Sequence, residues 1–425
     1  MIDIKLIREN LKLVKDNIRK KKQDEKLKLI DEILEYDSQI KELKSKADTL
    51  RHRRNTLSEE INKAKKEKTD ASALLIEAKN IPVKINEIEE ELNSIEEKMM
   101  NNLRAIPNIM HESVPIGKDE SENVETAKFG AIRTFDFEPK NHMELAQSLN
   151  IVDFETSAKT SGSKFYYLKG DLALLNQALI RFAIDKMVSK GFTYVETPLM
   201  LNGNIIRNVT DLNDITNQIY KIENEDLYLI GTSEHSLIGQ YINSVIPEKS
   251  LPITQTSYSM CFRKEMGSHG ISEKGLYRTH QFNKIEMIVI CKPEDSMIFF
   301  EKLKNITIEL FTELEIPIRI LDICSGDLGD LKHKQVDIEA WSPITKEYYE
   351  VGSCSNLTDA QARRLGIKYT NGKEKYLANT LNNTAIATSR GMIAVLENNQ
   401  NEDGSITIPD VLVKYMNGKV LIGRD

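Results

Sequence analysis

The chain has 425 residues, 40% hydrophobic and 29% charged, enough for two or three domains with buried cores. Its net charge of −7 argues against bulk attraction of nucleic acid, but residues 1–100 hold 23 Lys/Arg and 22 Asp/Glu against 35 and 43 in the remainder, so a polyanion would meet the N-terminal part. No apolar run approaches the length of a membrane span, Met1–Lys5 lacks a secretory pattern, and Cys261, Cys291, Cys324 and Cys354 form no CxxC pair, so a cytoplasmic protein without membrane partner or structural zinc is expected.

In the first hundred residues Tyr36, Ile40, Leu43, Ala47, Leu50, Leu57, Ile61 and Ala64 follow alternating steps of three and four, with Arg54 in one expected apolar slot. Leu74, Ala78, Ile81, Ile85, Ile88, Leu92, Ile95 and Met99 repeat the rhythm. The polar stretch Lys66–Ser72 between them suits a turn. The spacing therefore predicts an antiparallel helical hairpin over about residues 28–103, about 50 Å long at helical rise. Pro82 removes a hydrogen bond to the carbonyl of Ala78; the unbroken heptad phase predicts a kink there and not an end. Arg51, Arg53, Arg54, Lys63, Lys65 and Lys66 line the first helix. On charge alone they read as a solvated face balanced by Glu59 and Glu60.

Ile106-Pro107-Asn108 ends the helical part, and a loop with Pro115 and Gly117 runs to about Glu125. Leu172–Lys190 has helical spacing, with Leu174, Leu175, Ala178, Leu179, Phe182, Ala183 and Met187 on one face. Ile285–Cys291 reads as a strand. The irregular order of elements predicts an α+β domain with a mainly antiparallel sheet.

Four clusters carry candidate chemistry. Phe262–Glu265 and Arg278–Glu286 read as two strands around a loop with Gly267, Gly270 and Gly275. Period two puts Arg263 with Glu265, and Phe282 with Glu286 about 13 Å apart. Such a face offers a ring for stacking, a fork for phosphate or carboxylate, and an acid for an amine; alternatively it is a surface hairpin with ordinary ion pairs. Thr232, Ser233 and Glu234 follow the apolar Leu227–Ile230 and suit either a polar ligand or a helix cap. Glu350 and Ser353 could hold Mg²⁺ only if a bulge, for which Gly352 is suited, turns them to one face. Asn382, Asn383 and Thr384 precede Arg390, which opens an expected helix to Asn399. An arginine there opposes the helix dipole and needs compensation, from a phosphate or from Glu397.

Arrangement and order together resemble the class II aminoacyl-tRNA synthetases, and most closely the seryl-tRNA synthetase family, over the whole chain. The helix 172–190 with Gly191, Phe192 and Pro198 is similar to the family's first motif, Phe262-Arg263-Lys264-Glu265 with Phe282 to its second, and Asn382–Arg390 to its third. The resemblance implies a tRNA-binding domain at 1–105 and a catalytic domain at 106–425. It implies serine activation by ATP and transfer to tRNA(Ser), with tRNA(Sec) as a further substrate, in a homodimer built on the first motif. By position, Arg263 grips the α-phosphate and the serine carboxylate, Glu265 reads adenine, Phe282 stacks on it and Arg390 holds the γ-phosphate. Arg263 and Arg390 are thus the catalytic residues. Glu350 and Ser353 bind Mg²⁺ or phosphate, with Lys264, Arg278, Val351 and Gly352 also at the ATP. Thr232, Ser233, Glu234, Arg263, Glu286, Asn382 and Thr384 form the serine pocket. The family arm clamps the long arm of tRNA, which turns the basic face 51–66 into a contact surface.

Ser233 stands where the family often has Ala, and Asn383 where it has Gly; Asn383 is expected to tighten the pocket. The zinc-dependent variant of the family fits less well, although Cys261 is near the site. Two rival readings are a synthetase relative that loads a carrier protein, against which the arm argues, and a non-catalytic coiled-coil RNA-binding protein, which leaves the four clusters unexplained.

Overall fold

The computed structural model describes residues 1–211, 217–266 and 275–423; Gly267 and Gly270 lie outside the described residues. The chain divides into two compact units, Met1–Pro107 and Asn108–Asp425.

The first unit is dominated by two helices, α1 (Leu27–Glu67) and α2 (Ser72–Ala105). Heptad side chains face each other along the pair. Ile40, Leu43 and Ile95 are buried with Tyr36, Ile88, Leu92 and Met99 packed around them, and Leu57, Ile81 and Ile85 are buried with Leu50 and Leu74. Arg54, in its apolar slot, is exposed. The turn is closed at both ends. Lys68 takes a left-handed conformation (φ 54°) and its amide bonds back to Lys65 and Ala64, while the Asp70 carboxylate accepts from the Ser72 amide at 2.9 Å. Helix α2 runs through Pro82 without ending. Pro82 is exposed between buried Ile81 and Ile85, so the Ala78 carbonyl that loses its partner lies toward the watery side of the helix.

In the second unit the main sheet, among the described residues, has eight strands: β1 (Val124–Phe129), β2 (Thr193–Tyr194), β3 (Ile253–Phe262), β4 (Gln281–Cys291), β5 (Ile318–Asp322), β6 (Lys334–Ser342), β7 (Glu347–Thr358) and β8 (Asn379–Ala387), in the order β1-β5-β6-β7-β8-β4-β3-β2. Every pairing is antiparallel except the short β2 beside β3. The α+β expectation with a mainly antiparallel sheet holds. One sheet face carries Ile285, Met287, Val289, Val336, Ile338, Cys354 and Leu381 into a core shared with helices α3 (Gly170–Ser189) and α5 (Ser296–Glu313). Alternation sends the intervening residues of β4, β7 and β8 to the other face, where polar side chains gather. Helix α3 begins two residues earlier than its apolar pattern, and Leu174, expected on the buried face, is 42% exposed. No described helix is long and apolar enough to cross a membrane.

Candidate active site

Strand β4 is the floor of the site. Phe282, Lys284 and Glu286 alternate along it to one side, and the first two line a cleft with about 510 Å³ of empty space, counting its mouth. Arg263, Glu265, Tyr277, Glu350, Val351, Gly352, Thr384 and Arg390 are further lining residues.

At one end the Arg263 guanidinium lies over the Phe282 ring, 5.3 Å from its centroid, with Nε donating to the Gly231 carbonyl at 3.1 Å. The stacking surface is thus covered by a cation in this state. Strand β3 stops at Phe262 and Glu265 is left-handed (φ 47°), so the period-two argument for Arg263 and Glu265 fails; a turn brings both to the cleft instead. Glu265 accepts from Arg278 at 3.2 Å. Arg278 and Lys264 are not among the lining residues.

Around Glu286 the serine-pocket candidates converge. Asn382 Nδ2 donates to its Oε1 at 3.0 Å, Thr232 and Thr384 hydroxyls donate to its Oε2 at 3.4 Å each, and Lys284 Nζ lies 2.5 Å from the same oxygen. Thr232 also caps the short helix α4 (Ser233–Gly239), accepting from the Glu234 amide at 3.3 Å, so the cap reading of that triplet holds. Ser233 does not join: its hydroxyl donates to the Ser257 carbonyl. Glu234 accepts from Gln361 Nε2 at 2.8 Å, and burial, then the nearby Glu286 charge, push its carboxyl up to about 7. Its neighbour His235 is held by burial down to about 3, beside the Thr210 hydroxyl, and stays neutral.

Asn383 departs from expectation. It points to the opposite face, donating to the Leu303 carbonyl at 2.7 Å and the Thr307 hydroxyl at 2.9 Å, and so does not tighten the pocket. Cys261 sits opposite Phe282 in register but is fully buried beside Ser259, and burial pushes its thiol up.

The bulge required of β7 is present. Glu339 opposes Glu350 and Ile338 opposes Gly352, which leaves Val351 extra; Ser353 then opposes Asp337, so Glu350 and Ser353 face the same way. Ser353 does not line the cleft; its hydroxyl faces the carboxyl of its register partner Asp337. Asp337, which sequence reasoning missed, is pushed up to about 7 by burial and by Glu350.

Arg390 lies in helix α6 (Thr388–Asn398), two residues earlier than expected at its start. Its compensation comes from Glu350 and not from Glu397: Nη1 is 3.0 Å from Glu350 Oε2 and donates to the Glu350 carbonyl at 2.8 Å. Burial alone would raise the Glu350 carboxyl; the charges of Arg390 and Arg263 outweigh it and leave the group below its ordinary value. Arg390 also lies over the Tyr277 ring at 4.6 Å. Lys284, Tyr277 and Gln361 are further polar neighbours that sequence reasoning missed. For Lys284 the signal was there, since the alternation that aligns Phe282 with Glu286 places it between them.

In the first unit, Arg51 pairs with Asp48 and Glu89, and Arg53 with Glu77 and with Glu60, one of the two carboxylates expected to balance this face. Arg54, Lys63, Lys65 and Lys66 are exposed.

Comparison with known proteins agrees with both units. The family model described as seryl-tRNA synthetase N-terminal domain matches residues 1–110, and that of the tRNA synthetase class II core domain (G, H, P, S and T) matches 219–399. A serine–tRNA ligase of Methanospirillum hungatei is 50% identical over 325 residues, 76% of each chain. The crystal structure of seryl-tRNA synthetase from Pyrococcus horikoshii complexed with ATP is 42% identical, superimposes with a TM-score of 0.94 and covers 100% of both chains. A cytoplasmic serine–tRNA ligase from Naegleria fowleri, in complex with AMP, is 30% identical with a TM-score of 0.88, over 99% of this chain and 98% of that one.

Proposed function

The chain belongs to the seryl-tRNA synthetase family, a serine–tRNA ligase, and from that premise we propose that the β4 cleft makes seryl-adenylate while the helical arm grips tRNA(Ser). The observation that carries this reading is the row Phe282, Lys284 and Glu286, with Arg263 over the ring and three donors on the carboxylate. Phe282 is the platform for adenine, and Arg263 leaves it to meet the α-phosphate and the serine carboxylate. Glu286, with Thr232 and Thr384, takes the serine ammonium and hydroxyl. Glu265 reads the adenine amine and Arg390 the γ-phosphate.

Activation then joins a serine carboxylate oxygen to the α-phosphorus as pyrophosphate leaves. The terminal ribose hydroxyl of tRNA next attacks the acyl carbon, and AMP leaves. The protein's part is positioning and charge neutralisation, so no side-chain base is assigned. Among the described residues no three His, Cys, Asp or Glu gather around a metal-sized point. The bulge that turns the Ser353 hydroxyl and the Glu350 carboxylate to one strand face nevertheless offers oxygen donors that suit a hard cation taking its other ligands from nucleotide phosphates. Glu350 and Ser353 would hold Mg²⁺, which supplies neutralisation of phosphate charge. Hydrogen bonds to the buried serine hydroxyl reject alanine strongly, whereas pocket size alone rejects threonine.

The exposed Arg54, Lys63, Lys65 and Lys66 support a tRNA contact on the arm, tRNA(Sec) included. Exposed Leu174 and Val188 on α3 support a homodimer through that helix. The domains are assigned as tRNA-binding (1–105) and catalytic (106–425). Amino-acid-dependent exchange of pyrophosphate into ATP, measured across the twenty amino acids, tests the reading. Exchange with serine is expected; exchange with another amino acid alone, or with none, rejects it.

A further inference from the structure

His142 opens the helix His142–Ser148, whose cap Asn141 forms a capping box with Glu144. No part of the chemistry above uses it, yet its ring is tied on both sides. Nδ1 lies 2.9 Å from Glu397 Oε1, and the Leu276 amide donates to Nε2 at 3.4 Å. A backbone N–H can only donate, so Nε2 is the acceptor and the ring proton sits on Nδ1, donated to Glu397. Glu397 is fixed in turn: its other oxygen accepts from the Ser342 hydroxyl at 2.8 Å, and its side chain is 5% exposed. Gly275, with φ of +75°, comes so close that a Cβ there would lie 2.4 Å from His142 Nε2 and 2.8 Å from Met143 Cγ.

The segment seated on this ring carries Tyr277 and Arg278. Tyr277 lies under the Arg390 guanidinium and edge-on to Tyr349 at 5.6 Å, and Arg278 holds Glu265. Glu397 belongs to the same helix as Arg390, so one imidazole ties the backbone of the returning loop to the helix that bears the γ-phosphate arginine.

We infer that His142 is a positioning residue for the nucleotide half of the site: through its bonds to Leu276 and Glu397 it sets Tyr277 against Arg390 and Arg278 against Glu265. The inference rests on the activity proposed above. The serine half hangs on Glu286 of β4 and does not use this contact. A structural role alone would lower stability or disturb both substrates; a positioning role affects ATP and spares serine.

The test is pyrophosphate exchange with the full-length protein, with ATP and serine varied separately. His142→Ala should raise the KM for ATP and lower kcat, each about tenfold, with the serine KM within about twofold; the combined loss, about a hundredfold in kcat/KM, is what an ångström of misplacement can cost. His142→Gln, whose amide oxygen can still accept from Leu276, should recover most of the loss. Gly275→Ala pushes on the same contact from the other side and should give the same split, which keeps the test decisive if His142→Ala fails to fold. Unchanged ATP parameters in either folded variant, an equal rise in both KM values, or a His142→Gln no better than His142→Ala would overturn the inference. Wild-type protein without serine-dependent exchange would instead reject the underlying activity, and the inference with it.

Discussion

Arg53 of the helical arm and Lys284 of the sheet each meet carboxylates at short range, in opposite settings. Arg53 and Glu77 remain 37% and 42% exposed, whereas Lys284 and Glu286 are 9% and 0% exposed. The first pair is screened by water and contributes little. The second sits where an unmatched charge is costly, and its carboxylate is the seat proposed for the serine ammonium. On the arm, charge lies outside an apolar seam; in the cleft, charge is the content of the site.

Deleting residues 30–100 separates the two regions most strongly. Charging of tRNA should be abolished while serine-dependent pyrophosphate exchange persists; unimpaired charging would break the division of labour. Within the cleft, Arg263→Ala should lower exchange by about 10²–10³-fold, the usual cost of removing a preorganised charge stabiliser. Near-normal exchange would mean the site is misplaced.

The ion pairs are compared through stability. Lys284→Met should cost about 3–5 kcal/mol in urea unfolding, because it strands Glu286, and adding Glu286→Gln should return much of that loss. Glu234 gives a smaller, pH-dependent effect. Its folded value is raised from 4.5 to about 7, so its stabilising contribution is full below the unfolded value and is lost as pH rises through the folded one. The stability of the wild type relative to Glu234→Gln should fall by on the order of 2 kcal/mol between about pH 5 and pH 8. A flat difference would show that Glu234 is ionised throughout. On the arm, Arg53→Ala should leave the melting temperature within about 2 °C; a large drop would erase the contrast with Lys284.

The arm was legible in the sequence because its information is local. Each heptad residue meets neighbours three or four positions away, and Ile40, Leu43, Ile81 and Ile85 are buried as the repeat requires. In the cleft only the strand itself was legible in that way: alternation aligned Phe282 with Glu286, and the need for a bulge beside Gly352 could be stated in advance. Applied along β8, the same alternation places Asn383 on the far face, where it bonds Leu303 and Thr307, against the expectation that it tightens the pocket. What period and spacing do not carry is the meeting of distant segments. Arg390 finds Glu350 forty residues away, while the nearer Glu397 is taken by His142, 255 residues off. Nor does spacing show that β3 stops at Phe262, because Arg263–Glu265 continue its apparent pattern.

The most direct measurement is a crystal structure of the protein with a non-hydrolysable seryl-adenylate analogue. Adenine should lie on Phe282 where the Arg263 guanidinium now rests, with that guanidinium turned to the phosphate mimic and the serine ammonium on Glu286. An analogue bound away from the Phe282–Glu286 strand, or one that leaves Arg263 stacked on the ring, would contradict the assignment of the cleft.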